Sequence, residues 1–196
     1  MNKRVRKSII EYGIIGAVLL TLFVTGLHTE VFGFLQRGVL ATGIMNPSVE
    51  ADAKPTSDEY PLADFNVHLV NADGEKVNME QFKGKVIFIN LWATWCPPCI
   101  AEMPGINRLY NDVKDEDIVF LMISLDDDFR KAVRFNERKG FSFDVYAADQ
   151  PLPQMYYTQS IPTTFVINAD GKLVMRHEGM ADYSTDKFKE FLLEQR

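Results

Sequence analysis

The sequence contains little cysteine and little histidine: only two cysteines and three histidines occur among its 196 residues. Two cysteines form at most one disulfide, so a fold held together by a framework of disulfide bonds is excluded. A zinc site usually takes four cysteine or histidine ligands, whereas His28, His68 and His177 are scattered along the chain. The sequence shows no internal repeat, so we expect neither a zinc domain nor a repeat architecture.

Basic residues are outnumbered by acidic ones, 21 to 27, which gives a net charge of −6. Four of the basic residues, Lys3, Arg4, Arg6 and Lys7, stand at the very start of the chain. Without these four, the rest of the chain has 17 basic and 27 acidic residues, a net charge of −10. This acidic balance argues against a nucleic-acid partner.

Both cysteines lie in one short motif, Trp95-Cys96-Pro97-Pro98-Cys99. A disulfide between them would close a loop of ~4 residues, which contributes about 2 kcal/mol on the chain-entropy model, against roughly 4 to 5 kcal/mol for a long loop. The spacing therefore disfavours a purely structural disulfide and favours a pair that opens and closes during electron transfer.

The motif lies between a predicted strand and a predicted helix. Residues 86–91 form a short apolar run that predicts a buried strand, and residues 100–114 repeat apolar side chains at helical spacing. Cys96 is then expected at or just before the helix N-terminus, where backbone N–H groups and the helix dipole stabilise a thiolate. Cys99 lies one turn further on, is expected to be less exposed, and suits the resolving role.

The segment from Asn90 to Pro104, Asn-Leu-Trp-Ala-Thr-Trp-Cys-Pro-Pro-Cys-Ile-Ala-Glu-Met-Pro, resembles the active-site segment of the thioredoxin-like family typified by TlpA and ResA. Members of that family are membrane-anchored thiol–disulfide oxidoreductases that face the bacterial periplasm or the outer cell surface. The resemblance runs from about Tyr60 to the C-terminus. It implies an α/β protein with a thioredoxin-like fold and an extra N-terminal β-hairpin, preceded by one transmembrane helix.

The rest of the chain predicts elements in a matching order. Residues 65–77 alternate apolar and polar side chains around an Asn-Ala-Asp-Gly turn, which predicts the extra hairpin. The remaining predicted elements are a buried strand at 118–125, a helix ending at Gly140, a short strand at 144–147, a hairpin at 163–175 and a closing helix at 183–193, capped by Ser184 or Thr185.

Glu102 lies three residues after Cys99 and has two interpretations. The spacing alone favours a solvated carboxylate in the first turn, stabilised by the helix dipole. The resembled family has a glutamate at this position of the motif, which supports an acid/base that exchanges protons with the cysteines. Both interpretations stay open, and we count Glu102 with Cys96 and Cys99 as a candidate catalytic residue.

The resemblance also implies a surface that binds protein substrates. Ile161-Pro162-Thr163 matches the cis-proline loop of the family, which faces the cysteines and presents the backbone of Ile161 to an incoming peptide. Trp95 and Pro97 are expected beside Cys96 on the same surface.

Two further groups receive structural interpretations. Asp126, Asp127 and Asp128 precede a helical pattern, so capping and dipole effects explain them better than a metal site. His68 is expected to be a partly exposed histidine on a strand. We therefore predict no metal site and no cofactor.

The chain start predicts a membrane anchor. Residues 12–27 carry no charge, and the basic residues before them favour the cytoplasmic side. We expect a basic start at 1–8, a transmembrane helix at 9–28, a juxtamembrane segment and linker at 29–58, and the thioredoxin-like domain at 59–196. A cleaved signal peptide is the alternative. Either way the domain is expected in the periplasm or outside the cell, tethered to the cytoplasmic membrane if the helix is retained.

The predicted function is an extracytoplasmic thiol–disulfide oxidoreductase, with reduction the favoured direction. The resemblance suggests cytochrome c apoproteins or other secreted cysteine-containing proteins as substrates, and a membrane electron donor that transfers thiol equivalents. The alternatives are a thioredoxin-fold binding module or copper chaperone without redox turnover. A peroxiredoxin-like peroxidase is a further alternative, although Ala93 stands where such an enzyme has a threonine.

Overall fold

The computed structural model describes residues 11–18, 20–21, 38, 60–114 and 116–196. Residues 11–18 and 20–21 are helical, and the rest of the predicted anchor at 9–28 lies outside the described residues. The predicted basic start at 1–8 and nearly all of the predicted linker at 29–58 lie outside them as well. Within the described ranges, no helix has the length and apolar character needed to cross a bilayer.

Among the described residues from Tyr60 onward, seven strands form one sheet, and three α-helices accompany it. In chain order the elements are β1 (His68–Asn71), β2 (Lys76–Asn78), β3 (Val86–Trp92), α1 (Pro97–Val113), β4 (Ile118–Ser124), α2 (Phe129–Lys139), β5 (Val145–Ala148), β6 (Thr163–Ile167), β7 (Leu173–Glu178) and α3 (Asp186–Leu193). The strand order in the sheet is β2-β1-β5-β4-β3-β6-β7.

Three central strands are parallel, and the outer strands are antiparallel to their neighbours. β3 pairs with β4 and β4 with β5 in parallel, as expected for strands joined by helical crossovers. The two predicted hairpins, β1–β2 and β6–β7, are confirmed as antiparallel pairs, and β1 also pairs antiparallel with β5. The extra N-terminal hairpin therefore extends the sheet on the side of β5.

The sheet separates two hydrophobic cores. All seven residues of β3 are buried, because the strand is covered on both faces. Phe88 and Trp92 face a core that also contains side chains from α1, α2 and α3. Ile87 and Ile89 face a second core, which is covered by residues from the N-terminal hairpin region and from the 3₁₀ turn Gln154–Tyr156.

The helix boundaries refine the predicted ones. Gly140 terminates α2 as its C-cap, as predicted. Its φ of 65° is the left-handed conformation, which glycine adopts most readily. α3 begins at Asp186 and is capped by Thr185. α1 begins at Pro97, directly after Cys96, as the predicted position of Cys96 requires, and three residues before the apolar pattern at 100–114. Proline is compatible with the first helical position, where no N–H is needed.

The register of the sheet brings the cysteine motif next to the predicted cis-proline loop. The motif follows directly after β3, whose Leu91 pairs with Thr163 at the start of the antiparallel β6. Trp92 at the end of β3 pairs with Ser124 at the end of β4. The connections after β3 and β4 and before β6 therefore meet at one edge of the sheet, where the site lies.

Candidate active site

The two cysteines are joined at the start of α1. Cys96 and Cys99 form a disulfide with their Cα atoms 5.3 Å apart. Cys96 is the N-cap of α1, as predicted, and its Sγ accepts a hydrogen bond of 3.3 Å from the backbone N–H of Cys99. Both residues are buried, with Cys96 4% and Cys99 1% exposed. Cys99 is buried, as predicted, but the expectation that Cys96 is the exposed member of the pair is wrong for the oxidised protein, in which both are buried.

The two central prolines limit the stabilisation of a thiolate at Cys96. An N-cap side chain accepts hydrogen bonds from the amides of the second and third helical residues. Pro97 and Pro98 occupy the first two positions and have no N–H, so Cys99 contributes the first available donor. This consequence of the two consecutive prolines was not predicted from the sequence.

Of the predicted substrate-binding residues, Trp95 and Pro97 flank Cys96 in the chain, and Ile161 contacts it. The Ile161–Pro162 peptide bond is cis, which confirms that prediction. The carbonyl oxygen of Ile161 lies 3.7 Å from the Sγ of Cys96, close enough to accept an S–H hydrogen bond from the reduced cysteine. Pro162 is buried, whereas Trp95 is 59% exposed directly before Cys96. The surface beside Cys96 thus combines an exposed aromatic ring with a backbone carbonyl.

A polar cluster on β7 anchors the loop that carries Ile161. The guanidinium of Arg176 donates to the carbonyl oxygen of Tyr157 at 3.0 Å and to the carboxylate of Glu178 at 2.6 Å. The hydroxyl of Ser160 donates to the same carboxylate at 3.2 Å. These contacts tie the loop to the edge strand at two points.

Glu102 is buried, so the interpretation as a solvated carboxylate is wrong. Its side chain is 1% exposed. One carboxyl oxygen accepts from the side-chain amide of Asn90 at 2.8 Å, and the other accepts from the backbone N–H of Ala181 at 3.1 Å. Because α1 begins at Pro97, Glu102 lies in the second turn, which faces the core here, and the chain before α3 covers it. Helical spacing alone does not reveal this.

The polar contacts continue from Asn90 through the core. Its amide nitrogen also donates to the hydroxyl of Thr164 at 3.0 Å, which accepts from the hydroxyl of Tyr183 at 2.8 Å. The side-chain oxygen of Asn90 is buried and has no hydrogen-bond partner among the described residues. An amide can turn either its N–H or its oxygen toward Glu102, so Asn90 suits both the ionised and the protonated carboxyl.

Burial determines the protonation state of Glu102. The loss of hydration raises the pKa of Glu102 to about 8, against the opposing effect of the hydrogen bonds from Ala181 and Asn90. At neutral pH the carboxyl in the oxidised protein is therefore mostly protonated. Burial also raises the pKa of Tyr183 well above its ordinary range, so the phenol remains a neutral donor.

Sequence reasoning missed two polar residues of the site. Asn90 is a polar residue inside an apolar strand, and this exception to the pattern was the available signal. Asp126 was assigned to helix capping, but the structure gives that role to Asp128 alone. The carboxylate of Asp126 instead accepts from the backbone N–H and the hydroxyl of Thr94, two residues before Cys96.

Two histidines, His68 and His177, lie among the described residues. His68 on β1 is partly exposed and hydrogen-bonded to Asn66, as a structural histidine would be. His177 on β7 pairs with Thr164, and its burial lowers the pKa of its imidazole. Among the described residues, no group of three or more histidine, cysteine or acidic side chains could hold a metal ion.

A cysteine pair at a helix N-terminus, a cis-proline beside it and a buried acid behind it define a thiol–disulfide oxidoreductase with a thioredoxin-like fold. Residues 55–190 match the family described as Redoxin, and the chain belongs to that family.

Named relatives carry the same activity. The chain is 32% identical over 130 residues to the thiol-disulfide oxidoreductase ResA of Halalkalibacterium halodurans, in an alignment that covers 65% of this chain and 73% of that one. It is 30% identical over 129 residues to ResA of Bacillus thuringiensis subsp. konkukian, covering 65% and 73%. The resemblance stated from the cysteine motif is thereby confirmed.

Solved structures support the fold. A thiol:disulfide interchange protein of the thioredoxin family from Chlorobium tepidum has a TM-score of 0.56 and 25% identity, covering 73% of this chain and 99% of that one. StoA from Bacillus subtilis has a TM-score of 0.55 and 22% identity, covering 66% and 98%, and shows the fold alone.

The first prediction concerns the replacement Glu102→Gln in the oxidised protein. The pKa of Glu102 in the folded state, about 8, exceeds its ordinary value of 4.5, so the folded state binds this proton more tightly than the unfolded state. This contribution to stability is complete below pH 4.5 and is lost as the pH rises through 8. Relative to the Gln variant, the wild-type free energy of unfolding should fall by up to about 5 kcal/mol across that window.

Urea denaturation at several pH values measures this difference. Glu137→Gln removes the same charge from the exposed side of α2 and serves as the control. The difference in unfolding free energy between the wild type and Glu102→Gln should change with pH. The corresponding difference for Glu137→Gln should show no such change. A flat curve for Glu102 would show that its carboxyl titrates as an ordinary surface group.

Proposed function

We propose that this protein reduces disulfides in proteins outside the cytoplasm, with cytochrome c apoproteins or other secreted cysteine-containing proteins as substrates. The observation that favours reduction over oxidation is that the Sγ of Cys96 accepts a hydrogen bond from only one N–H of the first helical turn, that of Cys99. Oxidising members of this class are strong oxidants because their reduced form is stabilised. With Pro97 and Pro98 in place, the thiolate at Cys96 receives less stabilisation, which favours the disulfide and makes the dithiol a reductant.

Cys96 attacks the substrate, and Cys99 resolves the intermediate. The Cys96 thiolate forms a bond to one substrate sulfur, and the other substrate sulfur leaves as a thiolate and takes a proton from solvent. Cys99 then loses its proton and attacks the Sγ of Cys96. The second substrate thiolate leaves, and Cys96 and Cys99 remain as the disulfide, with two electrons transferred to the substrate.

Glu102 moves the proton of Cys99. The two residues are three positions apart on α1, so their Cβ atoms lie roughly 5–6 Å apart. In the oxidised protein Glu102 holds a proton, because the pKa of its carboxyl is about 8. When a donor thiolate attacks Cys96, the Cys99 thiolate leaves and takes this proton. The carboxylate that remains accepts it again when Cys99 next attacks.

Regeneration of the dithiol requires a thiol-transferring electron donor in the membrane, since cytosolic reductants lie on the other side. The basic residues before the apolar run at 12–27 support an anchor with the domain outside the cytoplasm. Protein disulfides persist in that compartment, so a reductase finds substrates there.

In the variant Cys99→Ser, a mixed disulfide between Cys96 and a protein substrate should accumulate, because the resolving thiol is missing. Non-reducing electrophoresis and mass spectrometry of the adduct detect it. The matched variant Cys96→Ser should form little adduct. Adducts that form mainly through Cys99 would reverse the assigned roles.

Insulin reduction in the presence of dithiothreitol separates this enzyme from a binding module of the same fold. The wild-type protein should accelerate precipitation of the insulin B chain, and both cysteine variants should not. A wild-type protein that leaves the rate unchanged would support binding without turnover.

The replacement Pro98→Ala should make the pair more oxidising. It adds an N–H at the second helical position, which can donate to the Cys96 thiolate. Hydrogen bonds to charged groups contribute about 1.5–3 kcal/mol, so the reduction potential should rise by roughly 30–60 mV. Equilibration with glutathione buffers measures the potential.

Pro104→Ala, in the interior of the same helix, is the matched control. It removes a proline without adding a donor near Cys96, so the potential should stay close to that of the wild type. Equal shifts in the two variants would trace the effect to the helix as a whole.

Alkaline phosphatase fused after Asp58 should be active, because that reporter needs an oxidising compartment. A cytoplasmic reporter at the same junction should be inactive, and the reverse pattern would contradict the proposed location. Membrane fractionation of the full chain separates a retained anchor from a cleaved signal peptide.

A further inference from the structure

The carboxylate of Asp126 lies at the centre of a hydrogen-bond cluster beside the cysteine motif. One of its oxygens accepts from the backbone N–H of Thr94 at 2.9 Å and from the hydroxyl of Ser124 at 2.9 Å. The other accepts from the hydroxyl of Thr94 at 2.6 Å. Three donors from two segments of the chain therefore converge on one partly buried carboxylate.

This cluster joins the two connections that leave the same edge of the sheet. Trp92 and Ser124 are register partners at the ends of β3 and β4, and the N–H of Leu125 donates to the carbonyl of Trp92 at 2.8 Å. Beyond that last backbone bond, Asp126 continues the connection through its side chain to Thr94. The segment before Cys96 is thus held to the end of β4.

The segment that Asp126 holds is the one that presents the reactive cysteine. The N–H of Cys96 donates to the carbonyl of Ala93 at 3.2 Å, so residues 93–96 form a turn around Thr94. Trp95 within this turn is 59% exposed and has little packing to hold it. Hydrogen bonds to a carboxylate are shorter and stronger than those between neutral groups, so they can fix such a turn.

We propose that Asp126 is a positioning residue that fixes the turn of residues 93–96, and thereby holds Cys96 at the N-terminus of α1 and Trp95 beside it during disulfide exchange. The inference rests on the proposed role of Cys96 as the attacking thiol. Asp126 acts through Thr94 and does not itself touch the substrate.

The neighbouring aspartates provide matched controls for charge. Asp127 is exposed, and Asp128 caps α2 through the N–H of Arg130. Asp127→Asn removes one negative charge from the same stretch but none of the bonds to Thr94. Asp126→Asn removes the same charge and replaces one of the two acceptor oxygens with an N–H donor, so the remaining bonds to Thr94 lose the strength that the carboxylate charge gives them.

The first readout is the rate at which the reduced protein reacts with Ellman's reagent at neutral pH. Asp126→Asn should slow the reaction of Cys96 by about fivefold to twentyfold, because the turn no longer holds the thiolate at the helix start. Asp127→Asn should react at the wild-type rate. A rate for Asp126→Asn that equals or exceeds that of Asp127→Asn would overturn the inference.

The second readout is the fluorescence of Trp95. The chain has two tryptophans, and Trp92 is fully buried, so acrylamide quenching reports mainly on Trp95. Asp126→Asn should increase the quenching constant and lower the steady-state anisotropy, whereas Asp127→Asn should change neither. A variant with reduced thermal stability but unchanged quenching and reactivity would show a merely structural role and would also overturn the inference.

Thr94 variants decide the question if Asp126→Asn does not fold. Thr94→Val keeps the backbone bond to Asp126 and loses the hydroxyl bond, whereas Thr94→Ser keeps both. The Val variant should react more slowly than the Ser variant and show greater quenching, and equal behaviour of the two would contradict the inference. A failure of the proposed function would be distinguishable from a failure of this inference, because the wild-type protein itself would then not reduce insulin.

Discussion

The burial of one carboxyl group, that of Glu102, is the constraint on which the rest of the site depends. A carboxylate in an apolar core is costly unless it is hydrogen-bonded or protonated. The amide of Asn90 and the N–H of Ala181 donate hydrogen bonds to the carboxyl group. Its pKa is raised to about 8, so the group is mostly protonated at neutral pH. Asn90 is therefore part of the solution to burying Glu102, although it interrupts an apolar strand.

Different elements that meet at one end of the sheet contribute the different groups of the site. The start of α1 presents Cys96 with one backbone donor, and the loop before β6 places the carbonyl of Ile161 beside it. The core contains the buried carboxyl of Glu102, which we propose exchanges a proton with Cys99. These parts meet where β3 and β4 end and β6 begins, so strand register brings Cys96, the carbonyl of Ile161 and the carboxyl of Glu102 to the same end of the sheet.

Much of the fold was predictable, because the relevant patterns are local. The apolar run of β3, the glycine that ends α2 and the turn of the β6–β7 hairpin each specify an element within a few residues. The burial of Glu102 was not predictable from spacing, because the backbone that covers it belongs to Ala181, distant in the sequence. The role of Asp126 was missed for the same reason, since its partner Thr94 follows a different strand.

Direct titration of Glu102 tests the central claim. In oxidised protein labelled with ¹³C-glutamate, the side-chain carboxyl signal of Glu102, assigned by its absence in Glu102→Gln, can be followed by NMR across the pH range. The burial of Glu102 predicts a midpoint near pH 8, far above the ordinary value of 4.5. A midpoint near 4.5 would mean that Glu102 is charged at neutral pH, and it would contradict the proposal that its carboxyl donates a proton to Cys99.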